Sequence, residues 1–308
     1  MSERISGPAW FERAIAAPCR ERVVTVEDCP IHYLAWGDPA KPALVLVHGG
    51  AAHAHWWSFL APLLRHQYYV VAPDLSGHGE SGRRDAYAMS LWARELVEVA
   101  AHADFVGPPV LVGHSMGGLA AIAAASLHGD RLAGAIIVDS PVRQPDPESD
   151  EGHRGRSFRN PKTYPTLDDA LARFRLVPEQ PCDNPWVIDY IARHSLVETP
   201  AGFTWKFDPK VFTHRDWKSL QPYLESVRCR IALLRGQYSL VVPPETGAYM
   251  YELLDRNAPL VEIPEAHHHL ILDQPLAFVA ALRALLADWE HSVPRRSGRI
   301  RAAAEPQR

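Results

Sequence analysis

One short stretch, residues 110–118 with the sequence VLVGHSMGG, restricts the fold of this chain more than any other. Its apolar start predicts a buried strand, and the small residues from 117 to about 128 predict a helix. Ser115 lies between them, flanked by Gly113 and Gly117, which is typical of a sharp strand-to-helix turn that exposes a serine hydroxyl. The free N–H groups of that helix would face an anion formed beside the serine. The alternative is a small-residue turn that only allows close packing, but the apolar strand and alanine-rich helix favour a nucleophile at Ser115.

Apolar runs and helical periodicity alternate through the rest of the chain. Continuous apolar runs, typical of strands buried on both faces of a sheet, lie at 43–47, 69–72, 135–138, 231–234 and 260–263. Helical spacing of apolar residues occurs between them, at 56–65, 91–103, 245–257 and 275–291. Near the N-terminus, residues 22–26 and 31–35 alternate in polarity and predict a hairpin. This alternation predicts an α/β architecture with a mostly parallel sheet.

Residues 141–215 interrupt the alternation with many prolines and a charged run at 146–159. Because the segment follows a sheet strand, it would cover the C-terminal edge of the sheet, where open α/β sheets bind ligands. A disordered linker is the alternative, but the segment holds too much apolar surface to leave exposed. That surface comes from Phe174, Trp186, Tyr190, Ile191, Phe203, Trp205, Phe207 and Phe212. We predict a lid at 141–215, a core formed by 1–140 and 216–291, and a disordered basic tail at 292–308.

Composition and charge exclude several classes of protein. Of the 308 residues 47% are hydrophobic, and the net charge of −4 disfavours nucleic acid or an acidic membrane surface as the main partner. We find no apolar stretch of the ~18 residues that a membrane span needs. Glu12 and Arg13 interrupt the apolar patch near the N-terminus, which argues against a signal peptide. The four cysteines lack CxxC spacing, as expected of reduced thiols. We expect a cytoplasmic monomer or homodimer.

Four motifs occur in the order that is seen in the α/β-hydrolase superfamily. They are His48-Gly49-Gly50, Asp74-x-x-Gly77-x-Gly79-x-Ser81, Gly113-His114-Ser115-Met116-Gly117-Gly118 and Ala266-His267-His268-His269-Leu270-x-x-Asp273-Gln274-Pro275. From about residue 23 to 291 the chain resembles members of that superfamily. The resemblance implies an eight-stranded, mostly parallel sheet flanked by helices, with a helical lid inserted after the sixth strand. It also implies a serine–histidine–acid site.

A serine hydroxyl needs a base within hydrogen-bond reach before it can attack. Among the 16 histidines, the resemblance selects His268, on the loop between the last strand and the last helix. His267 stands where the family pattern usually has glycine, so a register shifted by one, with His267 or His269 as the base, stays open. A metal site at 267–269 is disfavoured, because three consecutive residues cannot all converge on one ion.

The base in turn needs a carboxylate that orients its ring. In most relatives the acid lies on the loop after the seventh strand, but here that loop, residues 235–240, contains none. The superfamily also uses the end of the sixth strand, where Asp139 stands, so Asp139 is our candidate. Glu245 is the second choice, and a water-mediated or acid-free arrangement is the third.

Two backbone N–H groups should stabilise the oxyanion of an acyl-transfer intermediate. Met116 directly follows the candidate nucleophile, and Gly50 lies two residues beyond His48 on the loop after the third strand. We predict that these residues form the oxyanion hole. His48-Gly49 has the alternative, structural role of shaping that loop.

The residues together predict a serine hydrolase that cleaves a carboxylic ester, or a related acyl bond, of a small apolar substrate without a cofactor or a metal. A carbon–carbon bond hydrolase, thioesterase, amidase or acyltransferase would use the same residues and stays open. Ser115 argues against the dehalogenases and epoxide hydrolases of the superfamily, which use aspartate there. A hypothesis of another class is a slow small-molecule receptor on a hydrolase scaffold, because the usual acid is missing.

Overall fold

A central sheet of eight strands organises the structure, a computed structural model that describes residues 3–144, 158–213 and 220–292. The strands of this sheet are β1 (Arg20–Val26), β2 (Cys29–Trp36), β3 (Ala43–Val47), β4 (Tyr69–Pro73), β5 (Val110–His114), β6 (Gly134–Val138), β9 (Arg230–Gly236) and β10 (Leu260–Ile263). Their order is β1-β2-β4-β3-β5-β6-β9-β10. The pairs from β4 to β10 are parallel, whereas β2 is antiparallel to both of its neighbours. The predicted eight-stranded, mostly parallel sheet is therefore confirmed.

The predicted N-terminal hairpin consists of β1 and β2. Val26 pairs with Cys29, so the turn contains Glu27 and Asp28. Both residues have positive φ angles, 45° and 60°, as a type I′ turn requires. This antiparallel hairpin forms one edge of the sheet.

Helices cover both faces of the sheet. They are α1 (Ala9–Ile15), α2 (Ala61–Leu64), α3 (Met89–His102), α4 (Met116–Leu127), α7 (Gln221–Glu225), α8 (Pro244–Leu253), α9 (Leu270–Asp273) and α10 (Pro275–His291). Side chains of β3 alternate between the two faces, with Leu44 in the core that contains Phe278 of α10 and Val45 in the core that contains Trp92 of α3. Among the described residues, no helix has the length and apolar character that crossing a membrane requires.

The helix predicted at 56–65 is broken in the structure. A 3₁₀ turn at Ala54–Trp57 is followed by the short helix α2, in whose first turn Pro62 lies. Because proline has no N–H to donate, it fits the start of a helix better than the middle of one. The helix predicted at 245–257 ends at Leu253, since the chain reaches positive φ at Asp255 and Arg256.

Between β6 and β9 the structure describes residues 158–213, which we call the cap segment. It contains α5 (Leu167–Leu171), α6 (Pro185–His194), the hairpin of β7 (Leu196–Thr199) and β8 (Gly202–Trp205), and a 3₁₀ turn at Pro209–Phe212. The aromatic side chains that argued against a linker are buried or half-buried. The division into core and lid stays a prediction. Most of the charged run and nearly all of the predicted tail lie outside the described residues.

Hydrogen bonds join the cap segment to the turn that follows β4. The Asp208 N–H donates to the Gly77 carbonyl at 2.7 Å, and the Gly79 N–H donates to the Lys206 carbonyl at 2.8 Å. On the other side of the cap segment, the side-chain amide of Gln180 donates to Asp273. These contacts hold the cap segment at the C-terminal edge of the sheet.

Candidate active site

Ser115 lies at the turn between β5 and α4 with a strained backbone, φ 53° and ψ −121°. Its N–H donates to the Val138 carbonyl of the neighbouring strand at 2.9 Å. A β-carbon added to Gly113 would lie 2.4 Å from the Gly117 carbonyl oxygen, and one added to Gly117 would lie 2.3 Å from the His48 carbonyl oxygen. Side chains would therefore collide at both positions, which explains why glycines flank the turn.

His268 lies on the loop between β10 and α9, and its ring meets Ser115. The distance from His268 Nε2 to Ser115 Oγ is 3.0 Å, and the distance from His268 Nδ1 to Asp139 Oδ2 is 2.7 Å. His268 is only 4% exposed, and its contact with Asp139 is buried, whereas the contact with the half-buried Ser115 is partly open. The three side chains form one continuous chain of hydrogen bonds, although they are far apart in the sequence.

Asp139 is fully buried at the end of β6. Besides His268, its carboxylate accepts hydrogen bonds from the Gly236 N–H at 3.0 Å and from the Ser239 hydroxyl at 2.6 Å. The Ser239 oxygen accepts from the N–H groups of Val241 and Val242. A buried carboxylate requires such partners, because burial without them is costly. The loop after β9 thus supplies donors to the carboxylate, while the end of β6 supplies the carboxylate itself.

The other acid and base candidates point elsewhere. Glu245 is exposed in the first turn of α8. His267 is half-buried, and its Nδ1 lies 3.6 Å from Asp273 Oδ2. His269 is buried against the ring of Trp56, with the ring centroids 5.4 Å apart. Of the three consecutive histidines, His268 is the one that contacts both Ser115 and Asp139.

Three histidine rings lie close enough together to be considered as a metal site. Ligand nitrogens of His114, His268 and His269 lie within 4.8 Å of one another. Both ring nitrogens of His268 are already engaged, by Ser115 and Asp139. The two remaining histidines are fewer than the three or four protein ligands that a zinc site uses. The geometry therefore favours a proton-transfer role for His268 over a metal centre.

The candidate oxyanion-hole residues lie close together. A β-carbon added to Gly49 would lie 3.2 Å from Ser115 Cβ, and one added to Gly50 would lie 3.6 Å from Met116 Sδ. Within the described part of the chain, neither the Gly50 N–H nor the Met116 N–H donates to a backbone carbonyl. Both are therefore available to a substrate oxygen. Met116 begins the twelve-residue helix α4, whose dipole favours negative charge at this end.

Two supporting residues were not predicted from the sequence. Ser239 lies in the loop after β9, where most relatives place the acid, so its hydroxyl was an available signal. His114 donates from Nε2 to the His268 carbonyl at 2.9 Å, and the two rings lie 4.9 Å apart. Burial, with a smaller effect of His268, lowers the pKa of His114 to about 3. The ring is therefore neutral at physiological pH and braces the loop that carries His268.

The fold and these contacts define a class of protein: an α/β protein with a serine, a histidine and a carboxylate in contact at the C-terminal edge of its sheet. Comparison with known families agrees with this class, since the profile of the alpha/beta hydrolase family matches residues 44–282. The chain therefore belongs to the alpha/beta hydrolase family, and the predicted fold is confirmed. Its relatives are named esterases and hydrolases, so the protein is an enzyme of this family.

Two relatives match along most of the chain. Esterase Rv0045c of Mycobacterium tuberculosis is 26% identical over 274 residues, which cover 86% of this chain and 89% of the relative. The 2-hydroxy-6-oxo-6-(2'-aminophenyl)hexa-2,4-dienoic acid hydrolase of Metapseudomonas resinovorans is 25% identical, over 92% of this chain and 94% of the relative. The solved structure of E-2-(acetamidomethylene)succinate hydrolase aligns with a TM-score of 0.76 at 19% identity, covering 88% of this chain and 100% of that one. At that identity the likeness shows the fold alone.

Proposed function

We propose that the protein hydrolyses a carboxylic ester, or a similarly activated acyl bond, through an acyl-enzyme formed on Ser115. One observation carries the proposal: the hydrogen-bond chain from Ser115 Oγ through His268 to the buried Asp139, with distances of 3.0 and 2.7 Å. The arrangement has the parts that activate a serine, namely a nucleophile, a base within reach and a third group that orients the base.

In the first step, Ser115 Oγ attacks the carbonyl carbon of the ester and its proton passes to His268 Nε2. Asp139 accepts the Nδ1–H of the ring, which sets the tautomer and stabilises the imidazolium that forms. The carbonyl oxygen becomes an oxyanion, to which the N–H groups of Gly50 and Met116 donate. Removing one such donor typically costs on the order of 10²–10³ in turnover.

In the second step, the tetrahedral intermediate collapses and His268 gives its proton to the departing alcohol oxygen. A water molecule then attacks the acyl carbon, with His268 Nε2 taking the proton of that water. The second tetrahedral intermediate collapses, the bond from the acyl carbon to Ser115 Oγ breaks, and His268 returns that proton to Oγ as the carboxylic acid leaves. No residue changes its net protonation over the full cycle.

Apolar side chains of the cap segment support an apolar or aromatic acyl or alcohol group. A β-carbon added to Gly50 would lie 3.2 Å from Phe212 Cε1, so this ring borders the candidate oxyanion hole. Phe158 lies with its ring 4.6 Å from Phe212 and 5.7 Å from Phe207. We propose that these three rings line the substrate side of Ser115 and that the cap segment acts as a lid.

Carbon–carbon bond hydrolysis is the second candidate function. The relative from Metapseudomonas resinovorans, whose name describes a dienoic acid hydrolase, matches along almost all of the chain. The same serine, base and donors would serve that reaction. The receptor hypothesis was based on the missing acid in the loop after β9. The contact of Asp139 with His268 argues against that basis.

The decisive experiment combines activity with labelling of the nucleophile. A fluorophosphonate probe should label the protein at Ser115, as shown by peptide mapping, and p-nitrophenyl esters of increasing acyl length should be hydrolysed. Ser115→Ala should abolish both results. Ser126→Ala, on the same helix, is the matched control and should leave both unchanged, since Ser126 contacts Ser226 and not the site.

Three other outcomes would redirect the assignment. Turnover of a 2-hydroxy-6-oxo-dienoic acid, with weak hydrolysis of all esters, would favour the carbon–carbon hydrolase. Unlabelled protein that binds a small molecule tightly without turnover would favour the receptor. Labelling at another serine would overturn the role of Ser115.

A further inference from the structure

His48 is a fully buried histidine that the reaction described above does not use. It directly follows β3, and both of its ring nitrogens make a contact. The Leu75 N–H donates to Nε2 at 3.0 Å, and Nδ1 lies 2.7 Å from the Gly49 carbonyl oxygen. A backbone amide can only donate, so Nε2 must carry the lone pair. The neutral ring then has its proton on Nδ1, which donates to the Gly49 carbonyl.

This tautomer determines how the next peptide group is oriented. In a trans peptide unit the carbonyl and the N–H point in opposite directions. The Gly49 carbonyl is directed at the His48 ring, so the N–H of Gly50 is directed away from it. Positions 49 and 50 both border the nucleophile turn, since β-carbons added there would lie 3.2 Å from Ser115 Cβ and 3.6 Å from Met116 Sδ.

The Ala52 N–H also donates to the Gly49 carbonyl, at the longer distance of 3.3 Å, so the shorter contact from His48 is the stronger of two restraints. The peptide needs such restraints, because it joins two glycines. Glycine reaches backbone angles that other residues avoid, so a plane between Gly49 and Gly50 could rotate at little steric cost. A rotated plane would present the Gly49 carbonyl oxygen, in place of the Gly50 N–H, to a developing oxyanion. Repulsion would then replace the stabilisation that an oxyanion hole provides.

The restraint is itself anchored in the core. Leu75 follows Asp74, whose carboxylate accepts hydrogen bonds from the Ala54 N–H at 2.6 Å and the Glu80 N–H at 3.0 Å. Burial lowers the pKa of His48 below its ordinary value, more than the nearby charge of Asp74 raises it. Protonation would also place a second N–H against the Leu75 N–H. The ring therefore stays neutral and keeps the tautomer that the geometry requires.

We propose that His48 is a positioning residue that holds the Gly49–Gly50 peptide with its N–H directed at the oxyanion. The inference rests on the proposed function, since it assigns a role in the same acyl transfer. It goes beyond that function because it names the side chain, the ring nitrogen and the tautomer on which the donor from Gly50 depends.

Two substitutions of His48 distinguish a role in orienting the Gly49–Gly50 peptide from a role in packing alone. The amide nitrogen of asparagine occupies the place of Nδ1, whereas the amide of glutamine reaches the place of Nε2. His48→Asn should keep the donor to Gly49 and reduce kcat by less than about tenfold. His48→Gln should keep a contact to Leu75, lose the donor to Gly49 and reduce kcat by about 10²-fold, with KM nearly unchanged.

The affinity for a transition-state analogue provides a readout that packing alone would not change. A trifluoromethyl ketone adds to Ser115 and forms an oxyanion, so its affinity should fall with kcat in His48→Gln and persist in His48→Asn. Equal losses of kcat in both variants, or an unchanged affinity in His48→Gln, would overturn the proposal.

A measurement on the unsubstituted protein covers the case in which His48→Gln does not fold. Nitrogen-15 NMR of the histidine rings should show His48 as the Nδ1–H tautomer, and the opposite tautomer would refute the role of His48. Ser115→Ala separates this inference from the proposed function. If that variant keeps full activity, the acyl-enzyme proposal fails; if it is inactive while His48→Gln behaves like the unsubstituted protein, only the inference about His48 fails.

Discussion

Two buried aspartate–histidine pairs lie at the C-terminal edge of the sheet, and their local geometry is nearly the same. Asp74 follows β4 and lies with Oδ2 2.8 Å from His32 Nδ1. Asp139 follows β6 and lies with Oδ2 2.7 Å from His268 Nδ1. Both carboxylates are buried and both accept further hydrogen bonds from the backbone. By these measures alone, either pair could serve a nucleophile.

The difference lies at the far nitrogen of each ring. His268 Nε2 faces Ser115 Oγ at 3.0 Å, whereas His32 Nε2 is buried without a hydrogen-bond partner among the described residues. Asp74 instead joins two loops through the N–H groups of Ala54 and Glu80. An aspartate–histidine contact therefore does not by itself define an active site; the group that faces the far ring nitrogen of the histidine does.

The largest expected effect separates the pairs by activity. Asp139→Asn should lower kcat by about 10⁴-fold, because the asparagine favours the wrong tautomer of His268. Steady-state kinetics on a p-nitrophenyl ester measures this, with circular dichroism to show that the variant is folded. Glu245→Gln is the matched control and should change kcat less than twofold. A loss of less than tenfold in Asp139→Asn would remove Asp139 from the role.

The second prediction separates the pairs by stability. Asp74→Asn should lower the free energy of unfolding by about 2–4 kcal/mol, since it disrupts a buried charged network. The kcat of the folded fraction should fall less than tenfold. Urea denaturation and active-site titration give the two quantities. A loss of kcat near that of Asp139→Asn, without a loss of stability, would make the two pairs functionally alike.

The third prediction concerns the Ser239 hydroxyl, a side-chain donor to Asp139. Ser239→Ala removes the hydroxyl at 2.6 Å from the carboxylate and leaves the Val241 and Val242 N–H groups without that acceptor. We expect the free energy of unfolding to fall by about 1–3 kcal/mol and kcat to fall several-fold. Ser239→Thr keeps the hydroxyl and should recover most of the loss. An unchanged kcat in Ser239→Ala would show that the Gly236 N–H alone suffices.

The smallest expected effect is a pH dependence of the stabilisation that the Asp74–His32 pair gives to the folded protein. Burial alone would lower the pKa of His32, but the hydrogen bond and charge of Asp74 outweigh it, so the pKa is raised. Burial would likewise raise the pKa of Asp74, but His32 and nearby groups hold it well below its usual range. Since the raised pKa belongs to the folded state, the stabilisation by His32 is fully present below about pH 6.5 and is lost as pH rises through the folded value.

Urea unfolding of the unsubstituted protein and of His32→Asn, measured between pH 5 and 9, tests this sign. The difference in unfolding free energy should be larger at pH 5 than at pH 9. A difference that grows with pH would mean that His32 is stabilised in its neutral form, contrary to the pairing described above.

Much of the fold followed from local pattern. The buried strands were predicted from continuous apolar runs, because strands covered on both faces tolerate few polar residues. The turn at Ser115 was predicted because its strained backbone and close neighbours exclude side chains at Gly113 and Gly117. Helix ends were predicted less well, as in the chain around Pro62, since a short helix is decided by the few contacts of its first and last turns.

The site was only partly predictable. Asp139 was one carboxylate among several that follow strands. Ser239 was not predicted, because its role depends on a contact with Asp139 that the sequence does not show. Three adjacent histidines left the base ambiguous by one position. In the structure, His267 turns to Asp273 and His269 packs on Trp56, which leaves the ring of His268 beside Ser115.

The amino-acid sequence by itself determined the alternation of strands and helices, the turn that carries Ser115 and the set of residues from which a site could be drawn. Only the tertiary structure decided which acid meets which histidine, because those partners are distant along the chain: 153 positions separate Ser115 from His268, and 129 separate His268 from Asp139. A hydrogen bond acts over about 3 Å and in a narrow range of directions. Local periodicity contains no information about contacts between residues so far apart in the sequence. The packing at the sheet edge therefore determines which acid meets which histidine.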